Sequence, residues 1–396
     1  MGKPSLLYAS PFPPKQSGIA RYSAELVPGL AEHFDITLYS GNYEIEDSFL
    51  RRLPVKRHGL DRLDPDAYDF RLYNLGNNPW YHDYIYRACL QYPGHVLLHE
   101  AVLYYLVVGV YHDDPQFLQR MYRIGGPAAI DVLKRLSKRR TAYLQNPEPE
   151  RLPMLGELVS SPNRIIVHSE YARKAILRLD PGKAVRATNL VVSDGLTSGK
   201  DRRAALMRRL QIPEHAVVLA SFGFVAPTKL NRSVCQAVER ANQDGENVYY
   251  IMVGEGNWAD DYLSDRIRVT GYVSDAEYDE YCSCCDLVVN LRYPVMGETS
   301  AALLRAMVLG KPALVADVGW FRELPDSVVL KLDATPLEWM DARVLHAIKL
   351  FVSNRPVFEL MGRAARQYVL ENCSVRKVST ELSNIIVGGA ALSARM

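Results

Sequence analysis

The sequence predicts an α/β fold built as two parallel-sheet domains. Apolar runs of strand length alternate with helical patterns almost throughout, the signature of successive parallel units. A polar stretch, TSGKDRRAALMRRLQIPEHA (197–216), breaks this series, and a second one follows. The 396 residues exceed what one ordinary core accommodates.

SLLYAS (5–10) reads as the first strand, followed by the loop PFPPKQSG and a helix with Ile19, Tyr22, Leu26 and Leu30 on one face. DITLYS (35–40) is the next strand. DFRLYNLG (69–76), HVLLHE (95–100) and RIIVHS (164–169) continue the same sheet, each ending in polar residues. Residues 104–160 are helical and irregular, with a basic helix at DVLKRLSKRR (131–140). Its charges read as a solvated face, the sharper alternative being contact with a membrane surface or lipid phosphates.

The second series runs through AVVLASFGF (216–224), NVYYIMVGEG (247–256), DRIRVTGYV (265–273), DLVVNL (286–291) and PALVADVG (312–319). The domain boundary is expected within 195–215, giving domains 1–200 and 201–370 and a helical tail 371–396 that packs back toward the N-terminal domain. Open parallel sheets bind ligands beyond the carboxyl ends of their strands, so two such domains can face a shared central cleft.

Hydrophobic content of 48% and charged content of 23% suit a globular protein. A net charge of +2 gives no electrostatic argument for nucleic acid. No apolar run reaches the roughly 18–20 residues of a spanning helix. MGKPSLLYASPFPP reads as a strand entering a proline loop and not as a cleaved leader, so cytoplasmic residence is expected. The six cysteines make no disulfide framework at this length. The cluster YCSCCD (Cys282, Cys284, Cys285) lacks a nearby histidine and reads as packing, so no metal site is expected.

Several segments fall at strand-to-helix junctions, where N–H groups and the helix dipole favour anions. Ser17-Gly18 opens the first helix, as a phosphate approach or an ordinary cap. SFGFVAPTKLNR places Gly223 and Lys229 just past a strand, where a lysine can meet a diphosphate. VGEGNWA (253–259) matches Gly-x-Gly-x-x-Ala, but the strand after it ends without the acidic residue that grips a ribose. In RYPVMGETSAALLRA (292–306), Pro294 and Gly297 make a tight loop, and Glu298, Thr299 and Ser300 are expected to cap the next helix. His99 and His168 end strands, a better place for function than mid-strand. The acids of YHDDP (Asp113, Asp114) suggest a metal site, but Pro115 favours a helix cap.

Over nearly its whole length the chain resembles the retaining GT-B glycosyltransferases of family 4, in the branch acting on polysaccharides and lipid-linked sugars. SPFPPKQSGIARYSAEL resembles the family's N-terminal phosphate-side loop, and YNLGNNPWYHDYIY with HVLLHE its acceptor-side strands. RIIVHSEYARKAI resembles its last N-terminal unit, and the segments from SFGFVAPTKLNR to VADVGWFRELPD resemble its donor half. The order and spacing of these elements carry the likeness.

The resemblance implies two Rossmann-like domains facing a central cleft, an acceptor-side domain first and a nucleotide-sugar domain second. Gly18 matches the glycine that approaches the donor diphosphate, and Lys229 the lysine that neutralises it. Gly223 belongs to that donor loop. His99 matches a histidine at the donor-sugar and acceptor side; Tyr272 and Val273 match the segment whose backbone reads the base. The family's arginine five residues before the lysine is here Phe224, and Arg232 is the cation available to replace it.

The family's donor signature, Glu then seven residues then Glu, places Gly297 and Arg305 at the two acidic positions, with Glu298 one residue late. Either the loop is remodelled so that Glu298 reaches the sugar, or N–H groups of 297–300, with Gly297, Thr299 and Ser300, hold it. Arg305 donates to ribose hydroxyls or pairs with phosphate but does not accept as a carboxylate does.

The implied activity is metal-independent, retaining transfer of a hexosyl group from a GDP- or UDP-sugar to a hydroxyl of a glycan or lipid-linked acceptor. Lys229, His99 and Glu298 are the candidate catalytic residues. The pathway is surface polysaccharide assembly, with peripheral contact at the inner membrane face. No cofactor is needed beyond the sugar nucleotide. The rivals are an inactive nucleotide-sugar-binding protein and an NAD-linked oxidoreductase.

Overall fold

A computed structural model describes residues 2–58, 63–137, 144, 146, 148–193 and 200–393. Lys138, Arg139 and Arg140 of the basic stretch, and Thr197–Gly199 of the polar one, lie outside the described residues.

The first sheet holds β1 (Ser5–Ala9), β2 (Asp35–Ser40), β3 (Val55–Arg57), β4 (Phe70–Leu75), β5 (His95–Leu98), β6 (Arg164–Val167) and β7 (Val185–Ala187). They lie in the order β3-β2-β1-β4-β5-β6-β7, and the pairings are parallel. The second sheet holds β8 (Val217–Phe222), β9 (Val248–Val253), β10 (Ile267–Val269), β11 (Leu287–Asn290), β12 (Ala313–Ala316) and β13 (Leu330–Leu332), ordered β10-β9-β8-β11-β12-β13. Its pairings are parallel too. Both sheets therefore reverse direction beside their first strand, the doubly wound topology that opens a crevice at the switch point.

The central strands are apolar on both faces because helices cover both. Val96, Leu98, Ile165 and Val167 are buried in the first core, and Leu219, Tyr250, Leu287 and Leu314 in the second. The strands expected from long apolar runs are all present. β3, β7 and β13 were not anticipated: each is three residues long at or beside a sheet edge, too short for a periodic pattern.

Two compact units result. One comprises Met1–Val191, Met296–Thr299 and Val375–Met396, the other Val192–Val295 and Ser300–Ser374. The contiguous division at 200 and 370 is corrected in two respects. The chain enters the second unit at Val192, where Val192 N–H donates to the Cys373 carbonyl at 3.0 Å. Residues 296–299 belong with the first unit because Ala101 N–H donates to the Met296 carbonyl at 2.7 Å.

Candidate active site

In the first unit, the loop after β1 ends at Ser17, whose hydroxyl accepts from Ile19 N–H at 3.2 Å and caps the helix Gly18–Leu30. A β-carbon on Gly18 would meet nothing within 4 Å, and the first turn holds no acid. This helix end is thus open to an approaching anion.

His99 follows β5 and is buried. Asn74 of β4 donates through Nδ2 to the Ala9 carbonyl at 3.2 Å, which turns its Oδ1 toward His99 Nε2 at 3.3 Å. His99 therefore carries its proton on Nε2 and leaves Nδ1 as an acceptor. Burial, with His168 and His82 adding, holds its pKa well below the usual histidine range, so the ring is neutral.

The stretch Met296–Thr299 sits just beyond this strand end. Gly297 has φ +82°, and a β-carbon there would lie 2.4 Å from that of Ala101. Glu298 folds back, its Oε2 accepting from Met296 N–H at 2.6 Å. Its carboxylate is thus placed two residues along from the backbone that Ala101 supplies, in the same unit as His99.

The expected shared cap is corrected here. Ser300 alone caps the helix Ala301–Val308, accepting from Leu303 N–H at 3.1 Å and donating to Asn290 Oδ1 at 3.2 Å. Glu298 Oε2 takes the Met296 N–H instead. Ser300 spends its hydroxyl on the fold and has little left for a ligand.

In the second unit, β8 runs into Gly223 (φ +87°), and the turn Pro227–Lys229 returns Lys229 to the strand end. Lys229 Nζ donates to the Phe222 carbonyl at 2.5 Å. Its pKa is pushed down to about 7, first by burial of the ammonium and then by the charge of Arg292. The residue as a whole is half-buried. Arg292 lies two residues past the end of β11, next to Tyr293, whose N–H donates to the Thr228 carbonyl at 2.8 Å. The sequence reading passed over it, although a basic residue straight after DLVVNL was a visible signal.

Arg232, the cation available in place of the arginine replaced by Phe224, is engaged elsewhere in the second unit. Its guanidinium lies 4.1 Å over the Trp258 ring, Nε donates to the Trp258 carbonyl at 2.8 Å, and Asp261 is 3.4 Å away. Phe224 itself is exposed. Tyr272, also exposed, and the half-buried Val273 lie in the loop after β10, ahead of the helix Asp275–Cys284.

Arg305 is likewise corrected. Its side chain is buried and donates to Asp279, with Asp275 at 3.5 Å and the Tyr278 ring 4.2 Å away. Those acids, one helix over, take the guanidinium that was expected to face ribose or phosphate. Tyr278 in turn packs on Phe222, ring centroids 4.8 Å apart. Arg305 is thus in contact with Tyr278, which packs on the end of β8.

The Gly-x-Gly of VGEG serves packing. A β-carbon on Gly254 would come within 2.4 Å of the Gly223 carbonyl oxygen, and one on Gly256 within 2.3 Å of that of Val225. The glycines let the β9 loop lie on the β8 loop, and a short turn Asp260–Tyr262 follows in place of a dinucleotide helix. Cys282, Cys284 and Cys285 are buried free thiols. Asp114 caps its turn, accepting from Gln116 N–H and pairing with Arg120, both at 2.8 Å.

Residues 216–337 match the protein family described as Glycosyl transferases group 1. No curated protein matches the chain by sequence. Among solved structures it is similar to Anabaena Alr3699/HepE in complex with UDP, at 14% identity and TM-score 0.66, over 97% of this chain and 100% of that one. It is similar to the sucrose-phosphate synthase of Thermosynechococcus elongatus at 14% identity and TM-score 0.66, over 99% and 100%. WaaG, a glycosyltransferase involved in lipopolysaccharide biosynthesis, aligns at 12% identity and TM-score 0.59, over 97% and 100%. Its two parallel sheets thus give this chain the GT-B fold, with a Glycosyl transferases group 1 segment in the second of its two units.

Proposed function

We propose that the protein is a retaining glycosyltransferase of family 4. It moves a hexosyl group from a UDP- or GDP-sugar to a hydroxyl of a glycan or lipid-linked acceptor, without a metal, in surface polysaccharide assembly at the cytoplasmic membrane face. The observation that carries this reading is Lys229, held with Arg292 beside Gly223 at the carboxyl end of β8, inside the matched segment. Two cations brought together against burial and repulsion suit a ligand with concentrated negative charge, which a nucleoside diphosphate supplies. That Alr3699/HepE is solved with UDP and with UDP-glucose supports the donor class.

In this reading Lys229 neutralises the diphosphate as it departs, a preorganised electrostatic contribution, and the open N–H groups at Gly18 are the first unit's own candidate for a phosphate. His99, with its bare Nδ1, and Glu298 receive hydroxyl hydrogens of the sugar. Same-face attack lets the departing phosphate oxygen take the acceptor proton. Tyr272 and Val273 lie against the base.

Membrane contact is proposed for the basic stretch expected at 131–140, whose described part follows the non-helical break at Gly126 (φ +68°) and exposes Lys134 and Arg135. No helix among the described residues is long and apolar enough to cross a membrane.

The test is a panel of UDP-, GDP- and dTDP-sugars, measured for binding and for nucleoside diphosphate release with saccharide acceptors present. Lys229→Ala with an intact fold should abolish release; transfer near the parent rate would remove the lysine from the mechanism. The second reading, an inactive nucleotide-sugar-binding protein, draws on Phe224 and on the engagement of Arg305 by Asp279. It predicts donor binding with no release under any acceptor.

A further inference from the structure

We infer that His168 and Tyr22 complete, with His99, a buried pocket that binds neighbouring hydroxyls of a sugar ring. The inference rests on the glycosyltransferase reading and extends it to two residues which that reading leaves without a task.

The fold places these groups together. β5 and β6 are parallel and pair Leu98 with Val167, so His99 and His168 emerge side by side at the carboxyl edge. Their ring centroids are 4.8 Å apart. Tyr22, from the helix Gly18–Leu30, meets both rings edge-on, at 4.8 Å from His99 and 5.5 Å from His168. All three side chains are buried, and they stand at the edge where parallel sheets bind ligands.

Two polar atoms at this spot are buried with no hydrogen-bond partner: Tyr22 Oη and His168 Nε2. Thr188 Oγ1, beside His168, is a third. Unsatisfied buried polar atoms destabilise a fold, and several at one point mark a place built for something to bind.

The tautomers say what fits. His168 Nδ1 lies 3.3 Å from the Thr188 carbonyl oxygen, which only accepts, so Nδ1 carries the proton and Nε2 is bare. His99 Nδ1 is bare for the reason given above. Burial pushes the His168 pKa down to about 4 and holds the Tyr22 hydroxyl well above its usual range, so all three groups are neutral near pH 7.

The pocket thus offers two nitrogens that only accept and a hydroxyl that accepts or donates. A carboxylate or phosphate oxygen would meet lone pairs on both imidazoles. Among the described residues no group of three or more His, Cys, Asp or Glu is placed to hold a metal ion, so a cation would find two imidazoles alone. Adjacent sugar hydroxyls, each with a hydrogen to give, match the pocket. The ring can belong to the donor or to the acceptor saccharide, and the assay separates them.

His168→Asn keeps a donor for the Thr188 carbonyl and deletes the Nε2 acceptor. His168→Gln carries an amide oxygen to the Nε2 position. Tyr22→Phe removes only a hydroxyl without a partner, so a purely structural role predicts equal or higher thermal stability and unchanged binding. Binding is measured for free UDP or GDP, for the sugar nucleotide that binds in the panel above, and as KM for the acceptor.

The expected result is unchanged binding of the free nucleotide by every variant. Asn and Phe variants should lose roughly 3- to 10-fold in affinity for one sugar ligand, the effect of one neutral hydrogen bond, with recovery by the Gln variant. The loss falls on the sugar nucleotide if the donor ring occupies the pocket, and on acceptor KM if the acceptor does.

If no sugar nucleotide binds at all, the donor reading fails separately. Methyl hexosides are then titrated while the ¹⁵N resonance of His168 Nε2 is followed in the parent protein. A saturable shift retains the pocket. Parent-like sugar binding in all variants, or a resonance that only water moves, overturns it.

Discussion

The Nζ of Lys229 stands 2.8 Å from the point where a β-carbon on residue 223 would begin. Glycine at 223 is therefore required twice, by its φ of +87° and by the ammonium packed against it. Gly223→Ala should cost about 1–2 kcal/mol through the left-handed backbone and push Lys229 off the Phe222 carbonyl. Donor binding should fall more than tenfold, beyond what the stability loss explains. Chemical denaturation and calorimetric titration on the same samples check both; a stability loss with parent-like donor affinity would detach Lys229 from the site.

Donor binding should weaken as pH rises. The Lys229 pKa, about 7 against an ordinary 10.5, means that the free protein holds its ammonium below about pH 7 and loses it above. A bound diphosphate favours the charged form, so binding takes up a proton above pH 7. The dissociation constant should then rise by up to about tenfold per pH unit. The same shift acts on folding with a definite sign. Between about pH 7 and 10.5 the unfolded chain holds the proton that the fold has lost, so this residue's contribution to stability improves as pH rises through that window. Titrations in buffers of different ionisation heat count the protons; a flat dissociation constant from pH 6 to 9 contradicts the assignment.

Gly18 separates ligand from fold. A β-carbon there meets no protein atom, so Gly18→Ala should leave stability unchanged or raise it by about 0.4–1 kcal/mol. Nucleoside diphosphate affinity should drop several-fold if a phosphate approaches that backbone. Equal affinities in thermal-shift titrations would reduce Ser17-Gly18 to a helix start.

Arg305→Met removes the cation from between Asp275 and Asp279 and leaves the partly buried Asp279 without its partner. A loss of about 1–3 kcal/mol in stability is expected, with donor affinity lowered only as far as Tyr278 and Phe222 shift. Arg305→Glu should be worse, since it adds a third carboxylate. A methionine variant of full stability that fails to bind donor would instead place Arg305 on the ligand.

The longer strands of both sheets were legible because their apolar runs are long and their helices carry a different period, whereas the three-residue β3, β7 and β13 were not. His99 and Gly223 directly follow strand runs and so stood out as candidates, while Lys229 lies seven residues past β8, at the end of the turn Pro227–Lys229. Ser300 had the look of one member of a group of capping residues, and the structure gives the cap to Ser300, whose hydroxyl accepts from Leu303 N–H. Tyr22 looked like an apolar contact on a helix face; its hydroxyl matters because β5 and β6 bring two imidazoles to it from positions 99 and 168.

Alternation, glycine placement and capping chemistry are local properties, and a chain read in order reveals them: two parallel-sheet domains, their longer strands and the residues that follow them, while the strand order and its switch points came only from the structure. Partner choice is not local. Arg305 was equally fit for a phosphate or a carboxylate, and the helix Asp275–Cys284 packed beside it supplied Asp279 first. Lys229 is an ordinary lysine until burial and Arg292 lower its pKa. His99 shows a bare Nδ1 because Asn74 is turned by the Ala9 carbonyl of β1, two places from β5 in the sheet but far away in the sequence. Desolvation and hydrogen-bond geometry, set by residues distant along the chain, assigned these charges and protons after the fold had formed.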